Sequence, residues 1–377
     1  MSGMSAGTLA PERYVERLDR AAALVREGGL RALLVSVGPD LRYLAGSGAA
    51  PSERLTLLVV RPDGHATLVV PRLEVTPARL APGVASGRVE LVAWDETDDP
   101  HALAASLARP DDGSAALPIA VTDALTARHL LRLQAALAPA PFVSGAGLMR
   151  ELRIVKHPDE VDRLALAAAA ADRVVDRIAA GPLVGRSEAE VAREVRDLLL
   201  AEGHETAEFA IVASGPNSAS PHHTPGDRVI APGDAIVLDI GGTLGDYQSD
   251  TTRTLWVTGG DPAHGPDDEF LRLYAILHAA QEEATHAVRP GVPAERIDAV
   301  AREIISAGGH GAHFIHRVGH GIGVEGHEEP YLVAGNATPL EPGMAFSVEP
   351  GIYLEGRHGA RIEDIVVCGP EGPIVLN

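Results

Sequence analysis

The sequence predicts an α/β (α+β) protein of two domains. Three observations carry this. The chain has 377 residues, more than a single hydrophobic core ordinarily serves. Its N-terminal half alternates short strand-like apolar runs with helical patterns. Near residue 150 the texture changes to long Ala-rich helices followed by a β-rich stretch with many Gly and Pro. The domains are accordingly drawn at 1–150 and 151–377. Hydrophobic residues at 45% and charged residues at 22% suit a soluble globular chain and exclude wholesale disorder. Aromatics are only 3%, so the core must be built from Ala, Val, Leu and Ile.

Residues 12–27 set apolar and charged positions at helical spacing, and Gly28-Gly29 stops them. Strand-like runs follow at Ala32–Val37, Leu55–Val60, Ala66–Val70 and Val89–Val92. Arg61-Pro62-Asp63-Gly64 joins the second and third as a hairpin turn. Residues 100–108 and 125–137 read as helices. Nothing in this half clusters His, Asp or Glu, so it reads as a scaffold or partner surface. Pro158 in a first helical turn, followed by Asp159 and Glu160, starts a helix that runs to about Ala180. Ser187 with Glu190 three positions on is a capping box opening a helix to about Ala201. Two more helices, about 267–288 and 294–307, interrupt an otherwise β-rich region with no visible internal repeat.

Lys and Arg total 32 against 52 Asp and Glu, a formal charge of −20. That opposes binding to a nucleic-acid backbone or an anionic membrane surface. The single cysteine, Cys368, excludes an intrachain disulfide and a thiolate zinc cluster. It fits a reducing, cytoplasmic compartment. The N-terminal stretch lacks a basic start followed by an apolar run, so no signal peptide is expected. The longest apolar runs, Leu55–Val60 and Ile236–Leu238, fall far short of the roughly 20 residues of a spanning helix.

The distinctive chemistry lies after residue 200. Asp239 ends a strongly apolar strand pattern, glycines that allow a tight turn follow, and the next strand carries Asp250. A hairpin would bring the two carboxylates to neighbouring positions. Glu349 and Glu363 repeat the arrangement in a second pair of apolar runs separated by a glycine-containing turn. Between the pairs, the glycine-rich stretch from His316 to Pro330 offers His316, His320 and His327. An acid at a strand end also serves as a turn former. Four buried carboxylates, however, would repel one another unless paired or metal-bound. Two divalent cations with a neutral histidine would balance them, and mixed carboxylate and imidazole donors suit manganese, cobalt, iron or zinc better than calcium. Paired metals of this kind are a recurring device for hydrolysis. His310 and His313 read as surface or packing residues, because neighbouring glycines break any continuous helix. Gly321–Gly326 matches a dinucleotide fingerprint only formally, since Glu325 would face the phosphates.

Ser214–His223, the Asp239 and Asp250 strands, Gly319-His320-Gly321-Ile322-Gly323, His327-Glu328-Glu329-Pro330, Val348-Glu349-Pro350-Gly351 and Arg361-Ile362-Glu363-Asp364 occur here in a familiar order. The chain resembles the Xaa-Pro peptidases, aminopeptidase P and prolidase of metallopeptidase family M24. The match covers residues 150–377; the N-terminal half is similar only in size and texture. The resemblance implies a C-terminal pita-bread (creatinase/aminopeptidase) domain and a smaller α/β N-terminal creatinase-like domain. It implies a dinuclear site holding two divalent ions, Mn2+ foremost, with Co2+, Zn2+ or Fe2+ as substitutes. Asp239, Asp250, His320, Glu349 and Glu363 match the metal ligands, with Asp250 and Glu363 matching those that bridge both ions. His222, His327 and Glu349 match catalytic residues, and His222, His316, His327 and Arg361 match substrate-binding ones. His223 is read as a neighbour with a pocket role. The implied activity is aminopeptidase P-like cleavage of Xaa-Pro bonds at peptide N-termini, with Xaa-Pro dipeptidase (prolidase) activity as the alternative. Hydrolysis or lysis of a non-peptide small molecule and a non-catalytic binding role are further alternatives. The substrate would be a short proline-containing peptide and the assembly a homodimer. Creatinase shares the fold without the full ligand set, which counts against that relative.

Overall fold

The structure, a computed structural model, describes residues 9–109 and 116–377. Residues 1–8, read above for a leader, lie outside the described residues. The chain forms two compact units, one ending at Arg153 and one beginning at Ile154.

In the first unit, β1 (Ala32–Ser36), β2 (Leu57–Val60), β3 (Ala66–Pro71), β4 (Glu90–Trp94), β5 (Ile119–Val121) and β6 (Phe142–Ser144) form a mixed sheet in the order β4-β3-β2-β1-β5-β6. β1, β2 and β3 are buried at every position, which is why they read as unbroken apolar runs. The expected helices form as Pro11–Glu27, Pro100–Leu107 and Ala127–Leu137. Helices Pro39–Ala45 and Ala146–Arg153 and the three-residue strands β5 and β6 have no counterpart in the sequence pattern, being too short to give a periodic signal.

The second unit uses one order of elements twice: two helices, then an antiparallel sheet. Helix Pro158–Ala180 is capped by His157 and Glu160, and helix Glu188–Ala201 by Ser187 and Glu190. They bury Val174, Ile178, Val191, Val195 and Leu199 against Val212, Ile236, Leu238 and Ile240 of the sheet β7 (Thr206–Ser214), β8 (Asp234–Leu244) and β9 (Tyr247–Val257). Helices Asp268–His286 and Ala294–Ala307 come next. They share a core, including Leu273, Leu277, Ile297 and Ile305, with Phe346, Val348 and Val366. The strands that follow are β10 (Gly319–Gly321), β11 (Glu328–Leu332), β12 (Ala345–Val348), the hairpin β13 (Gly351–Leu354) and β14 (His358–Arg361), then β15 (Asp364–Cys368) and β16 (Pro373–Val375). All but the hairpin form the second sheet, in the order β11-β10-β12-β15-β16. No helix among the described residues is long and apolar enough to cross a membrane.

Strand alternation then decides what each face carries. On β8, Ile236, Leu238 and Ile240 face the helices, so Val237, Asp239 and Gly241 face the other way. Asp239 pairs with Thr252, and Gly241 with Asp250. The two aspartates are therefore diagonal neighbours on one face, not directly opposed. Asp239 is also mid-strand: β8 continues to Leu244, and the turn lies at Gly245-Asp246, where φ is 58° and 71°. Gly241 and Gly242 are demanded by close approach instead. A Cβ on Gly241 would lie 2.3 Å from the Ser249 carbonyl, and one on Gly242 would lie 2.1 Å from that of Thr206.

Gly319 meets the same constraint on β10, where an added Cβ would sit 1.9 Å from the Ser347 carbonyl oxygen of β12. Gly319→Ala must therefore push β10 away from β12, at a cost of at least about 1–3 kcal/mol. Thermal unfolding should show a Tm several degrees below wild type; an unchanged Tm would mean that the strands separate freely.

Candidate active site

The side chains turned away from the two helix-packed faces meet in one cavity of about 790 Å³. The nine residues matched from the sequence to metal-ligand, catalytic or substrate-binding roles all line it: His222, Asp239, Asp250, His316, His320, His327, Glu349, Arg361 and Glu363. Asp239 and Asp250 come from the first sheet of this unit. Val348 pairs with Asp364, so Glu349 and Glu363 flank that pair where β12 and β15 end. A backbone bridge from Thr252 to Glu363 ties the two pairs together (Glu363 N–H to Thr252 O, 3.1 Å), and the Thr252 hydroxyl donates to Glu363 Oε2 at 2.6 Å. His320 rides on β10, with its backbone N–H donating to Ser347 Oγ at 3.1 Å.

Asp250, His320 and Glu363 place ligating atoms within 4.8 Å of one another. The other two acids turn to nearby cations: Glu349 Oε1 is 3.2 Å from His320 Nε2, and Asp239 Oδ2 pairs with Arg361. Burial first, and then the neighbouring carboxylates, push Asp250 and Glu363 far above the ordinary acid range. Asp239 is raised too: burial and Glu349 outweigh the pull of Arg361. Burial also acts upward on Glu349, but the hydrogen bond and charge of His320 bring it down to about 2. His327 lies at the exposed rim with its ring 3.8 Å from that of His320. Desolvation and the His320 charge keep it neutral, lowering it to about 4.

These residues fit divalent cations. Asp239 Oδ1 is buried with no hydrogen-bond partner, an expensive arrangement for a carboxylate oxygen. Four acids and one imidazole form the oxygen-rich, nitrogen-containing donor set that such ions take. Arg361, 2% exposed, is committed on several sides, donating to Tyr353 Oη at 2.9 Å and Thr252 Oγ1 at 3.3 Å besides pairing with Asp239. Tyr353 Oη also meets His316 Nε2 at 2.9 Å. Phe209 and Ile211 of β7, with Ile315 and Val333, supply an apolar wall.

His223 does not line the cavity: its Nε2 lies 2.7 Å from Glu188 Oε2. His310 and His313 stack on each other, centroids 6.2 Å apart, and also do not line it. Glu188 is a residue the sequence did not reveal, because an acid in a first helical turn is ordinarily exposed beside the helix dipole. Here it is 0% exposed and receives the Ser214 N–H (2.8 Å), the Ser214 hydroxyl (2.7 Å) and Asn217 Nδ2 (3.0 Å). It thereby holds both ends of the segment that presents His222. Burial acts upward on its carboxyl, yet these hydrogen bonds and that of His223 keep it below the ordinary glutamate range.

A depressed folded-state pKa stabilises the fold above the ordinary glutamate value, and that contribution is lost as pH falls through the depressed one. Glu188→Ala should cost about 3 kcal/mol at pH 7, with the gap to wild type narrowing in acid. Urea unfolding at pH 7 and pH 4 measures both; equal stability at pH 7 would remove the clamp.

The comparisons with known proteins agree with this geometry. Residues 162–370 match the model of metallopeptidase family M24, and residues 17–155 match the creatinase/prolidase N-terminal domain. A probable dipeptidase PepE of Mycobacterium tuberculosis is 44% identical, covering 97% of this chain and 95% of its own. An Xaa-Pro dipeptidase of Lactobacillus helveticus is 32% identical over 94% and 95%. The crystal structure of dipeptidase PepE from Mycobacterium ulcerans is 46% identical, with a TM-score of 0.89 and coverage of 98% and 97%. The two-sheet, four-helix unit is the pita-bread fold expected from the sequence, and this chain belongs to metallopeptidase family M24.

Proposed function

We propose that this cavity hydrolyses Xaa-Pro dipeptides, with Asp239, Asp250, His320, Glu349 and Glu363 holding two divalent ions. The observation that carries it is the convergence of three buried acids, the partly buried Glu349 and one imidazole in a cavity where Asp239 Oδ1 is orphaned. The dipeptidase names of the relatives support the prolidase alternative over the aminopeptidase P-like reading favoured from sequence. An oxygen-rich donor set favours Mn2+, with Co2+, Zn2+ or Fe2+ as weaker fits. The reading carries a homodimer and a cytoplasmic setting with it.

Ions bound there would lower the pKa of water and polarise a carbonyl. The chain's own residues do the rest. Glu349 takes the proton of the attacking water. His327, kept neutral at the rim, donates a hydrogen bond to the oxygen on which charge develops. Proline's nitrogen carries no N–H in the substrate, so it must gain a proton as the C–N bond breaks. His222, which also lines the cavity, supplies it. His316, hydrogen-bonded to Tyr353, and the apolar wall of Phe209, Ile211, Ile315 and Val333 orient the pyrrolidine ring. Arg361 offsets the acids from below.

Asp250→Ala should lose bound metal and activity together, read by elemental analysis and by turnover of Ala-Pro in Mn2+ buffer. Full metal content with wild-type turnover would remove the metal centre. Ala-Pro should be cleaved faster than Ala-Pro-Ala, and Ala-Ala-Ala left intact; equal cleavage of all three would refute proline specificity. His222→Ala should reduce turnover by about 10²- to 10⁴-fold while metal content stays normal. Metal loss in that variant would assign His222 to the ion site instead.

A further inference from the structure

A buried ion pair stands directly behind the rim histidine, and the mechanism leaves it unused. Lys156 Nζ donates to Glu328 Oε1 at 2.6 Å, with 1% and 7% of the two side chains exposed. Glu328 follows His327 in the chain. Successive side chains of an extended segment point to opposite sides, and here His327 lines the cavity while Glu328 does not. Lys156 is held from its own side. Its N–H donates to the Gly343 carbonyl at 2.9 Å, the neighbouring Val155 bridges to Met344, and His157 begins the cap of helix Pro158–Ala180. The ammonium therefore projects from a fixed base onto the strand that follows His327.

That strand needs an anchor. β11 is the edge strand beside β10 in the second sheet. Their ladder registers at Gly319 with Leu332 and at Gly321 with Glu328, and shifts in between. β11 carries the extra chain, so backbone pairing alone holds its register loosely. The Glu328 carboxylate also packs on the turn that leads into His327: a Cβ on Gly323 would stand 2.7 Å from Glu328 Oε1. The Gly323 carbonyl in turn accepts the Gln248 N–H at 2.9 Å. Apolar side chains of like volume would fill the same buried space with equal or greater stability. What an ion pair adds there is one permitted register, the best-attested use of buried charge. The register matters because the His327 ring lies 3.8 Å from that of His320, and a slip of the strand would carry it away.

We infer that Lys156 and Glu328 are positioning residues for catalysis: their ion pair fixes the register of β11 and thereby holds His327 over the cavity, beside His320. This rests on the role given to His327 in the Xaa-Pro dipeptidase reading above. The pair acts through the backbone that joins Glu328 to His327.

The test compares the full-length, Mn2+-loaded wild type with the apolar double variant Lys156→Met/Glu328→Leu, with Glu328→Gln, and with His327→Ala alone and combined with the double variant. The apolar pair should keep the wild-type Tm and metal content yet lose kcat for Ala-Pro roughly ten- to a hundredfold, with KM little changed. Glu328→Gln, which keeps the shape and an acceptor for Lys156, should retain most of the wild-type kcat. In the His327→Ala background the apolar pair should cause no further loss, because residues acting through one another are non-additive. Wild-type kcat in the double variant overturns the assignment, as does a kcat loss that persists undiminished without His327. A fall of many degrees in Tm, or loss of metal, assigns the pair to stability and overturns it equally. Histidine 13Cε1 spectra of the Zn2+-loaded enzyme read the position without turnover. The His327 signal, identified by its absence in His327→Ala, should move in the double variant while the His222 signal stays. An unmoved His327 signal overturns the proposal. If it moves although the wild type cleaves no Xaa-Pro peptide, the positioning stands and the dipeptidase reading falls.

Discussion

Four carboxylates gathered in one cavity, three of them buried, impose the constraint that the rest of the second unit answers. Each acid loses hydration and gains like-charged neighbours, so Asp250 and Glu363 are driven far towards their protonated forms. The structure offsets some of this with neighbouring basic groups: Arg361 beside Asp239, and the His320 imidazole beside Glu349. It offsets none of it at Asp239 Oδ1, which has no partner at all. A cluster of this kind is a poor device for stability, since apolar residues would fill the same space at no electrostatic cost. It makes physical sense in a metallopeptidase, where divalent ions supply the missing positive charge.

The scaffold is arranged so that the acids cannot escape one another. Because β8 is buried on both faces, alternate residues have only two destinations, the helix-packed core or the site. Ile236, Leu238 and Ile240 fill the first, and shifting the register by one residue would exchange them with Asp239. The second sheet repeats the logic, with Phe346, Val348 and Val366 in the core and Glu349 and Glu363 at the ends of the paired strands. Glycines at 241, 242 and 319 let backbones meet at distances no Cβ would tolerate. Those close approaches bring the strands of each sheet near enough to share a site.

Much of this was legible in the sequence because it is carried by pattern. The first two long helices of the second unit announce themselves by their starts, Ser187 with Glu190 for instance, and the acids stand out against apolar neighbours such as Val237 and Leu238. What was not legible depends on distance in space. Gly241-Gly242 read as a turn because a glycine needed for close approach looks the same as one needed for a positive φ. Glu188 read as an ordinary first-turn acid because nothing local shows that Ser214, Asn217 and His223 return to it. The repeated order of helix, helix and sheet was invisible because packing preserves the apolar period and not residue identity.

The buried polar side chains behind the site divide its labour between rigid and adaptable elements. Asp239, Asp250, His320, Glu349 and Glu363 stand on or next to ladder-paired strands, whose register is set by the cores. The histidines at 222 and 316 stand on loops, yet those loops are not left to wander. Glu188 gathers the first through hydrogen bonds to Ser214, Asn217 and His223. The Asp298–Arg302 pair gathers the second through two carbonyls and one N–H. Both clamps start from helices on the outer faces of the sheets, in corresponding halves of the repeated arrangement. The strand-borne acids and the loop-borne His222 and His316 are thus held by separate parts of the scaffold, the first by the ladders and the second by buried ion pairs and hydrogen bonds reaching in from helices.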